Sequence, residues 1–255
     1  MTLPPLFVNN GLHMYRHEYK YLASGSALSM LEQRVSSVLT LDPHAAGKGF
    51  YHIRSLYFDD LYNSCYRENE DGTQPREKFR IRIYDCDPSV IQLELKRKEG
   101  GKTLKRSCSL SLKRCETLLA GAVPDLRSDD CPLYRRFWTA MHTAVLRPAT
   151  VVAYDRVPYV WMQCGRIVPA CNVRITFDRN IRSSLAFRSF LEPALAARPV
   201  LGLGSSLMEV KFDAFLPDFI YEILQCGPEG RPLTETTFSK YYLCRKFNTG
   251  GRSIA

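Results

Sequence analysis

Several motifs of nucleotide-dependent and hydrolytic enzymes are missing from this 255-residue chain. The phosphate loop GxxxxGK(S/T) is absent, because residues 46–49 (AGKG) lack its first glycine, and residues 202–204 (GLG) lack the third glycine of a dinucleotide fingerprint. No GxSxG serine turn occurs, and the five histidines form no pair with metal-ligand spacing. These absences argue against a P-loop enzyme, a dinucleotide-dependent dehydrogenase, a serine hydrolase of that type and a histidine-bound metal centre.

The chain also lacks long apolar runs and paired cysteines. No segment approaches the roughly 18 apolar residues of a membrane-spanning helix, and residues 1–5 (MTLPP) do not resemble a signal peptide. Among the nine cysteines, Cys108/Cys115 and Cys164/Cys171 are each seven residues apart, which fits neither a zinc ribbon nor a finger. We therefore expect reduced cysteines, no transmembrane segment and a cytoplasmic protein.

Positive charge is plentiful. The formal net charge is +9 and the sequence pI is about 9.1, which favours an anionic partner: nucleic acid, a membrane surface or a phosphorylated small molecule. The apolar content of 45% is sufficient for a sizeable core. Because there is no linker, repeat or break in composition, residues 1–255 are predicted to form a single domain.

Five stretches alternate charged with apolar residues, which is the pattern of a strand with one ionic face. They are residues 16–20, 79–84, 93–98, 173–178 and 208–213. Lysine and arginine interleaved with glutamate on several strands indicate a concave lining for a polyanion and a metal ion. The positions on the ionic faces are Glu18, Lys20, Arg80, Arg82, Glu94, Lys96, Arg174, Asp178, Glu209 and Lys211.

Helical periodicity is confined to three segments, over residues 26–39, 112–119 and from Pro132 to Pro148. Further strands are predicted at 51–59 and 151–156, with a hairpin turn at 99–102. Short strands joined by hairpins favour a closed barrel. We predict an α+β fold: a closed antiparallel β-barrel of about eight strands that forms a polar tunnel, with helices packed on the outside.

A tunnel lined by like charges requires a counter-ion, because burying unpaired charge is very costly. Arg80 and Arg82 lie two residues apart on one face and can grip successive phosphates as planar forks. The carboxylates would repel phosphate, so a role in holding Mg²⁺ or Mn²⁺ suits them better. For Glu209 a metal ligand and a structural ion pair are both open, and only one of Lys105 and Arg106 is expected to point inward.

Eight segments in order, from Arg16 to about Lys246, resemble the polyphosphate polymerase (VTC, vacuolar transporter chaperone) domain family, a branch of the triphosphate tunnel metalloenzyme (CYTH-like) superfamily. The segments are 16–21 (RHEYKY), 55–59 (SLYFD), 78–84 (KFRIRIY), 93–96 (LELK), 105–106 (KR), 154–156 (YDR), 209–211 (EVK) and 239–241 (SKY). The resemblance implies a tunnel that binds ATP and inorganic polyphosphate and transfers the γ-phosphate to a growing chain with release of ADP.

The resemblance also implies roles for individual residues. The catalytic cations would be Lys20, Arg80, Arg82, Lys96, Arg156 and Lys240, and further phosphate contacts would come from Lys105, Tyr154, Lys211 and Ser239. Glu209 would hold the metal, Mn²⁺ or Mg²⁺.

Two other functions remain open from the sequence. One is a triphosphatase or other nucleotide-processing hydrolase on the same fold, although such relatives tend to have more inward carboxylates. The other is a non-catalytic module that binds a polyanion. Nucleic acid is not the expected partner, because no aromatic-rich stacking strand occurs among the basic ones.

Overall fold

A ten-stranded antiparallel sheet organises the computed structural model, which describes residues 15–163, 171–202, 204–225, 227 and 231–249. The strands are β1 (His17–Ser24), β2 (Thr40–Leu41), β3 (Tyr51–Asp59), β4 (Arg76–Tyr84), β5 (Asp87–Glu99), β6 (Lys102–Ser109), β7 (Arg147–Gln163), β8 (Cys171–Ser184), β9 (Arg198–Pro199) and β10 (Ser205–Phe212). The helices are α1 (Gly25–Ser36), α2 (Ser64–Glu70), α3 (Leu112–Leu119), α4 (Pro132–Thr143), α5 (Asp218–Gln225) and α6 (Lys240–Asn248). The α+β class is as predicted.

The main sheet runs in the order β1-β10-β8-β7-β3-β4-β5-β6, with β2 added to β7 and β9 to β8. Two tight hairpins build its last three strands. Gly100 and Gly101 turn β5 into β6 with φ angles of 55° and 76°, and Asp85 and Cys86 turn β4 into β5 with φ of 48° and 58°. Both turns use two consecutive left-handed residues, the conformation that matches the twist of the flanking strands.

The sheet is a curled half-barrel rather than the closed barrel we predicted. Its end strands, β1 and β6, are bridged at one residue pair: Arg16 and Thr103 exchange N–H···O bonds of 3.0 and 2.9 Å, and no ladder joins these strands in the described ranges. Another segment occupies the free edge of β1, because Tyr21 bridges to Glu235 and the carbonyl of Lys20 accepts from the N–H of Thr236 at 2.8 Å. Residues 235–236 thus take the edge that closure would have required.

Four helices cover the apolar outer face of the sheet. Helices α1 and α5 pack on β8 and β10, where Leu28 and Leu31 join Ile175 and Val210 in a fully buried cluster. Helices α3 and α4 pack on β4 and β5 through a second cluster that includes Phe137. This arrangement follows from the alternation, since apolar residues of one parity must be shielded from water. None of the described helices exceeds 12 residues, whereas a bilayer span needs about 20 predominantly apolar ones.

Helix α6 departs from the expectation that helices lie only on the outside. It contacts β7 and β8, and its Tyr241 and Cys244 are buried with Tyr57, Val152 and Leu207 in a third apolar cluster. The ring of Tyr57 lies 5.2 Å from that of Tyr241, and its hydroxyl accepts from Arg80, a residue of the ionic face. Helix α6 therefore fills part of the concave side of the sheet, and the ionic side chains share that side with the third apolar cluster.

Candidate functional site

The concave face of the sheet encloses a cavity of about 100 Å³ with a strongly basic lining. Ten lining residues are basic and two are acidic: Lys20, Arg76, Lys78, Arg80, Arg82, Lys96, Lys98, Arg156, Lys211 and Lys240, with Glu18 and Glu209. They come from alternate positions of β1, β4, β5, β7 and β10 and from the start of α6. Period-two alternation thus brings segments from across the sequence to one surface.

Glu94 lies behind the paired arginines of β4. It is only 1% exposed and stands opposite Arg80 in the β4–β5 register. Its Oε2 accepts from Arg80 Nε at 2.7 Å and lies 3.8 Å from Arg82 Nη1, while its Oε1 accepts from Lys105 Nζ at 3.1 Å. Burial alone would raise the pKa of Glu94, but Arg80 and Arg82 outweigh it and hold that pKa well below its usual range. Glu94 is therefore an ionised carboxylate that fixes the two guanidinium groups.

A second ion cluster joins β7, β8, β10 and α6. Arg156 forms a bidentate pair with fully buried Asp178, at 2.6 and 2.7 Å, and also donates to Glu209 Oε2 at 3.2 Å. Lys240 Nζ lies 2.6 Å from Asp178 Oδ2 and 2.5 Å from Glu209 Oε1. Burial opposes the ionisation of both carboxylates, yet Arg156 and Lys240 lower the pKa of Asp178. Lys211, with Lys240 and Arg156, holds the pKa of Glu209 well below its usual range.

Glu18 forms a third cluster at the edge of β1. Its side chain lies 2.7 Å from Lys96 Nζ and 3.3 Å from Lys211 Nζ, and Lys211 also donates to Glu209 at 2.9 Å. Burial would raise the pKa of Glu18, but Lys20, Lys96 and Lys211 together hold it well below its usual range. Since Lys96 belongs to β5, this side-chain pair joins β1 to the other end of the sheet, in addition to the backbone bridge between Arg16 and Thr103.

Two predicted hydroxyl residues lie at the base of the cavity. The hydroxyl of Tyr154 accepts from Arg82 at 3.3 Å, and its ring faces Arg156 and Lys240 at 5.3 and 4.9 Å from the centroid. Ser239 also lines the cavity, but its hydroxyl oxygen caps α6 by accepting the N–H of Tyr242 at 3.3 Å. The Ser239 proton is left for another acceptor.

Of the eleven predicted site residues, ten line this cavity, and Lys105 does not. Lys105 is 48% exposed on its side chain and reaches the cavity wall only through Glu94. Its neighbour Arg106 lies in a separate groove with Arg97 and Arg136. Of the two adjacent basic residues, Lys105 is therefore the one directed toward the ionic cluster.

The sequence matches the VTC domain over residues 15–247, which is nearly the whole chain. The chain belongs to the VTC domain family. The predicted resemblance is confirmed, and the VTC domain here has the fold of the triphosphate tunnel (CYTH-like) superfamily. A search of curated protein sequences found no match.

Solved structures similar to this VTC domain share its fold at very low sequence identity. A candidate adenylyl cyclase from Hippeastrum, described as having a dominant triphosphatase activity, is 14% identical with a TM-score of 0.50, and the match covers 94% of this chain and 98% of that one. A candidate adenylate cyclase from Vibrio parahaemolyticus is 8% identical with a TM-score of 0.45, covering 91% and 98%. At such identities the likeness concerns the fold alone.

Sequence reasoning missed part of the lining of this VTC domain. Arg76 and Lys78 have the same parity on β4 as Arg80, and Lys98 has the same parity on β5 as Lys96, so the alternation itself could have predicted them. Tyr57 and Tyr241 also line the cavity and lie within segments 55–59 and 239–241 of the resemblance, although no role was predicted for either. Asn69 lines the cavity too, and no sequence signal marked it.

The acidic residues of the VTC domain determine whether its cavity can hold a metal ion. Within the described ranges no group of three or more histidine, cysteine, aspartate or glutamate side chains is arranged to hold a metal ion. Glu209 and Glu18 are both ionised and are bridged by Lys211, at 2.9 and 3.3 Å. Such a pair fits a hard divalent cation only when phosphate oxygens supply the remaining ligands.

Proposed function

We propose that this VTC domain synthesises polyphosphate by transferring the γ-phosphate of ATP to the end of a growing chain, with release of ADP. The observation that carries the proposal is the charge of the cavity: ten cations line it, and the carboxylates on or behind its surface are engaged by those cations. A site of this kind retains a polyanionic product. The proposal places the protein in the cytoplasm, where ATP is available.

Binding and positioning provide most of the chemistry in this proposal. Arg80 and Arg82 would hold successive phosphates as forks, and Arg156 and Lys240 would face the charge that spreads over the transferred phosphoryl group. Lys20, Lys96, Lys211, Tyr154 and Ser239 would add phosphate contacts, and Lys105 would act through Glu94. Because their carboxylate partners already fix the guanidinium groups, little reorganisation accompanies the reaction.

The nucleophile distinguishes polymerisation from hydrolysis. A terminal phosphate oxygen is largely ionised at neutral pH, since the second pKa of a phosphate monoester is about 6, so its attack on the γ-phosphorus needs no base. The bond from the γ-phosphorus to the bridging oxygen breaks and ADP leaves with that oxygen. Attack by water requires a proton acceptor, and the lowered pKa values of Glu18, Glu94, Asp178 and Glu209 make these carboxylates poor bases.

Glu209, together with Glu18, would hold Mn²⁺ or Mg²⁺. When bound, the ion would supply charge neutralisation along the triphosphate.

Triphosphate hydrolysis is the second candidate, and one observation favours it. Burial lowers the pKa of Lys96 to about 7, so that its amine is partly neutral at physiological pH and could accept a proton from water. A non-catalytic polyanion-binding module is the third candidate, because the lining would bind phosphate without any turnover.

One assay separates the three functions. The purified protein is incubated with ATP and Mn²⁺, with and without a short phosphate primer, and the products are resolved. A ladder of chains with ADP supports the polymerase, orthophosphate alone supports the hydrolase, and tight chain binding without product supports the binding module.

Substitution of the cavity arginines tests the site assignment. Arg80→Ala and Arg156→Ala should abolish elongation, because each removes charge-assisted contacts worth about 1.5–3 kcal/mol apiece to a phosphate. Arg136→Ala is the matched control, since Arg136 lies outside the cavity, is 49% exposed on its side chain and pairs with Glu77. Circular dichroism checks that each variant is folded. Full activity in the Arg80 and Arg156 variants would contradict the assignment.

A further inference from the structure

The cations of the cavity fall into two groups with different counter-ions. The inner group lies within 4 Å of a carboxylate and comprises Arg80, Arg82, Arg156, Lys211 and Lys240, together with Lys20 and Lys96 beside Glu18. The outer group is Arg76, Lys78 and Lys98, and across the described ranges none of its members forms an ion pair with a carboxylate. Seven inner cations thus share four carboxylates (Glu18, Glu94, Asp178 and Glu209), whereas the three outer cations have no carboxylate partner in that part of the chain.

Two of the three outer cations, Arg76 and Lys78, are held in place by neutral groups. Arg76 Nη1 donates to the backbone carbonyls of Glu68 and Thr73 at 3.4 and 3.1 Å, and Lys78 Nζ donates to Asn69 Oδ1 at 2.8 Å. Glu68 and Asn69 belong to helix α2, so this helix positions both side chains. Neutral acceptors orient a cation without cancelling its charge, which leaves it available to an anion.

The strand register places these like charges directly opposite one another. Arg76 faces Lys98, and Lys78 faces Lys96, in alternate pairs of the β4–β5 ladder, on the same face of the sheet. Like charges at opposite positions destabilise a sheet, and burial already lowers the pKa of Lys78 to about 7. These opposed positive charges cost stability in the free protein, and a bound anion would neutralise them.

The row of cations on β4 is also longer than the triphosphate of one nucleotide. Arg76, Lys78, Arg80 and Arg82 span six residue steps along the strand, which is about 20 Å at the rise of a β-strand. A triphosphate covers only part of such a row, whereas a longer chain can reach its outer end.

We propose that Lys98, together with Arg76 and Lys78, which helix α2 and its Asn69 orient, forms an outer phosphate subsite that binds the part of a polyphosphate chain beyond the reacting phosphates. The inference rests on the proposed function and adds a specificity device to it. The subsite selects long chains over tripolyphosphate and ATP, because only a long chain occupies it.

The test measures binding without turnover. Isothermal titration, with neither ATP nor metal present, gives dissociation constants for tripolyphosphate and for a long-chain polyphosphate of defined length. In Lys98→Met the long chain should bind about tenfold more weakly or worse, because one charge-assisted contact is lost, while tripolyphosphate affinity stays within about twofold of the wild type. The salt dependence of long-chain binding should flatten by about 0.7 in log–log slope.

Two further variants guard against a structural explanation. Lys98→Arg should restore long-chain affinity, and Lys113→Met, which removes one exposed lysine on α3 outside the cavity, should bind both anions as the wild type does. If Lys98→Met weakened the binding of both anions equally, or did not weaken the binding of the long chain, the proposed subsite would be refuted. If the wild type bound tripolyphosphate and long chains with equal affinity, the proposed subsite would be refuted and the proposed function would not be affected. A wild type that bound neither anion and made no chain would refute the proposed function itself.

Discussion

Asp178→Asn removes the negative charge on which the second ion cluster depends. Asp178 accepts two bonds from Arg156 and lies 2.6 Å from Lys240, with no exposed surface. Asparagine keeps the size of the side chain but presents an amide in place of a carboxylate. Glu209 is then the carboxylate left to balance both cations, and it is already shared with Lys211.

The expected cost follows from the burial of the pair. Removing one partner of a buried ion pair typically destabilises a protein by about 3–5 kcal/mol, because the other charge remains in a poorly solvated site. That is a large part of the roughly 5–15 kcal/mol that separates a native domain from its unfolded chain. An added anion should recover part of the loss, since a ligand at about 100 times its Kd contributes about 2.7 kcal/mol.

Urea unfolding followed by tryptophan fluorescence measures this cost, with and without tripolyphosphate. The control is Asp213→Asn, whose pair with Arg16 at 2.7 Å is partly exposed and should contribute about 1 kcal/mol or less. Asp178→Asn should lose several times more stability than the control and should recover more of it with tripolyphosphate. Equal losses in the two variants, or no effect of the anion, would refute the reasoning.

Three further predictions concern protons and the helix cap. Acid should destabilise the protein as the pH falls below about 4. Because the pKa of Glu94 is lower in the folded state, its contribution to stability is complete above its pKa in the unfolded chain and is lost as the pH falls through its pKa in the folded protein. An unchanged urea midpoint at pH 3 would contradict this. Polyphosphate binding should weaken between pH 6.5 and 8.5, because Lys96, beside Glu18, Lys20 and Lys211, and Lys78 both lose a proton near pH 7. Lys96→Arg should therefore flatten that profile in part, and a profile identical to the wild type would count against the role of Lys96. Ser239→Ala should cost about 1 kcal/mol through loss of the α6 cap, measured by the same urea assay, and a loss above 3 kcal/mol would show a larger role.

Local patterns explain which hairpins could be predicted from the sequence. The turn at Gly100 and Gly101 is visible because glycine readily adopts a positive φ. The equivalent turn at Asp85 and Cys86 is not visible, because neither residue is a glycine and the conformation is imposed by pairing of the flanking strands. Asp85 is further held by its side chain, which accepts the N–H of His52 at 2.9 Å.

The site shows the same division between local and long-range information. Alternation predicts that Arg80 and Arg82 share a face with one another, and it does so from a few adjacent residues. It cannot predict that Asp178 neutralises Arg156, since this pairing depends on the β7–β8 register. The sequence pattern also could not predict the open edge of the sheet, because that edge depends on the docking of residues 235–236 on β1.

Helix α6 follows all ten strands in chain order, and its first residue, Lys240, supplies the ammonium group that contacts both Asp178 and Glu209. During translation every strand therefore leaves the ribosome before the site can be assembled. A nascent chain that ends within the sheet has the paired arginines but an incomplete base to its cavity. The proposed phosphate site is therefore complete only when synthesis of the domain is nearly finished.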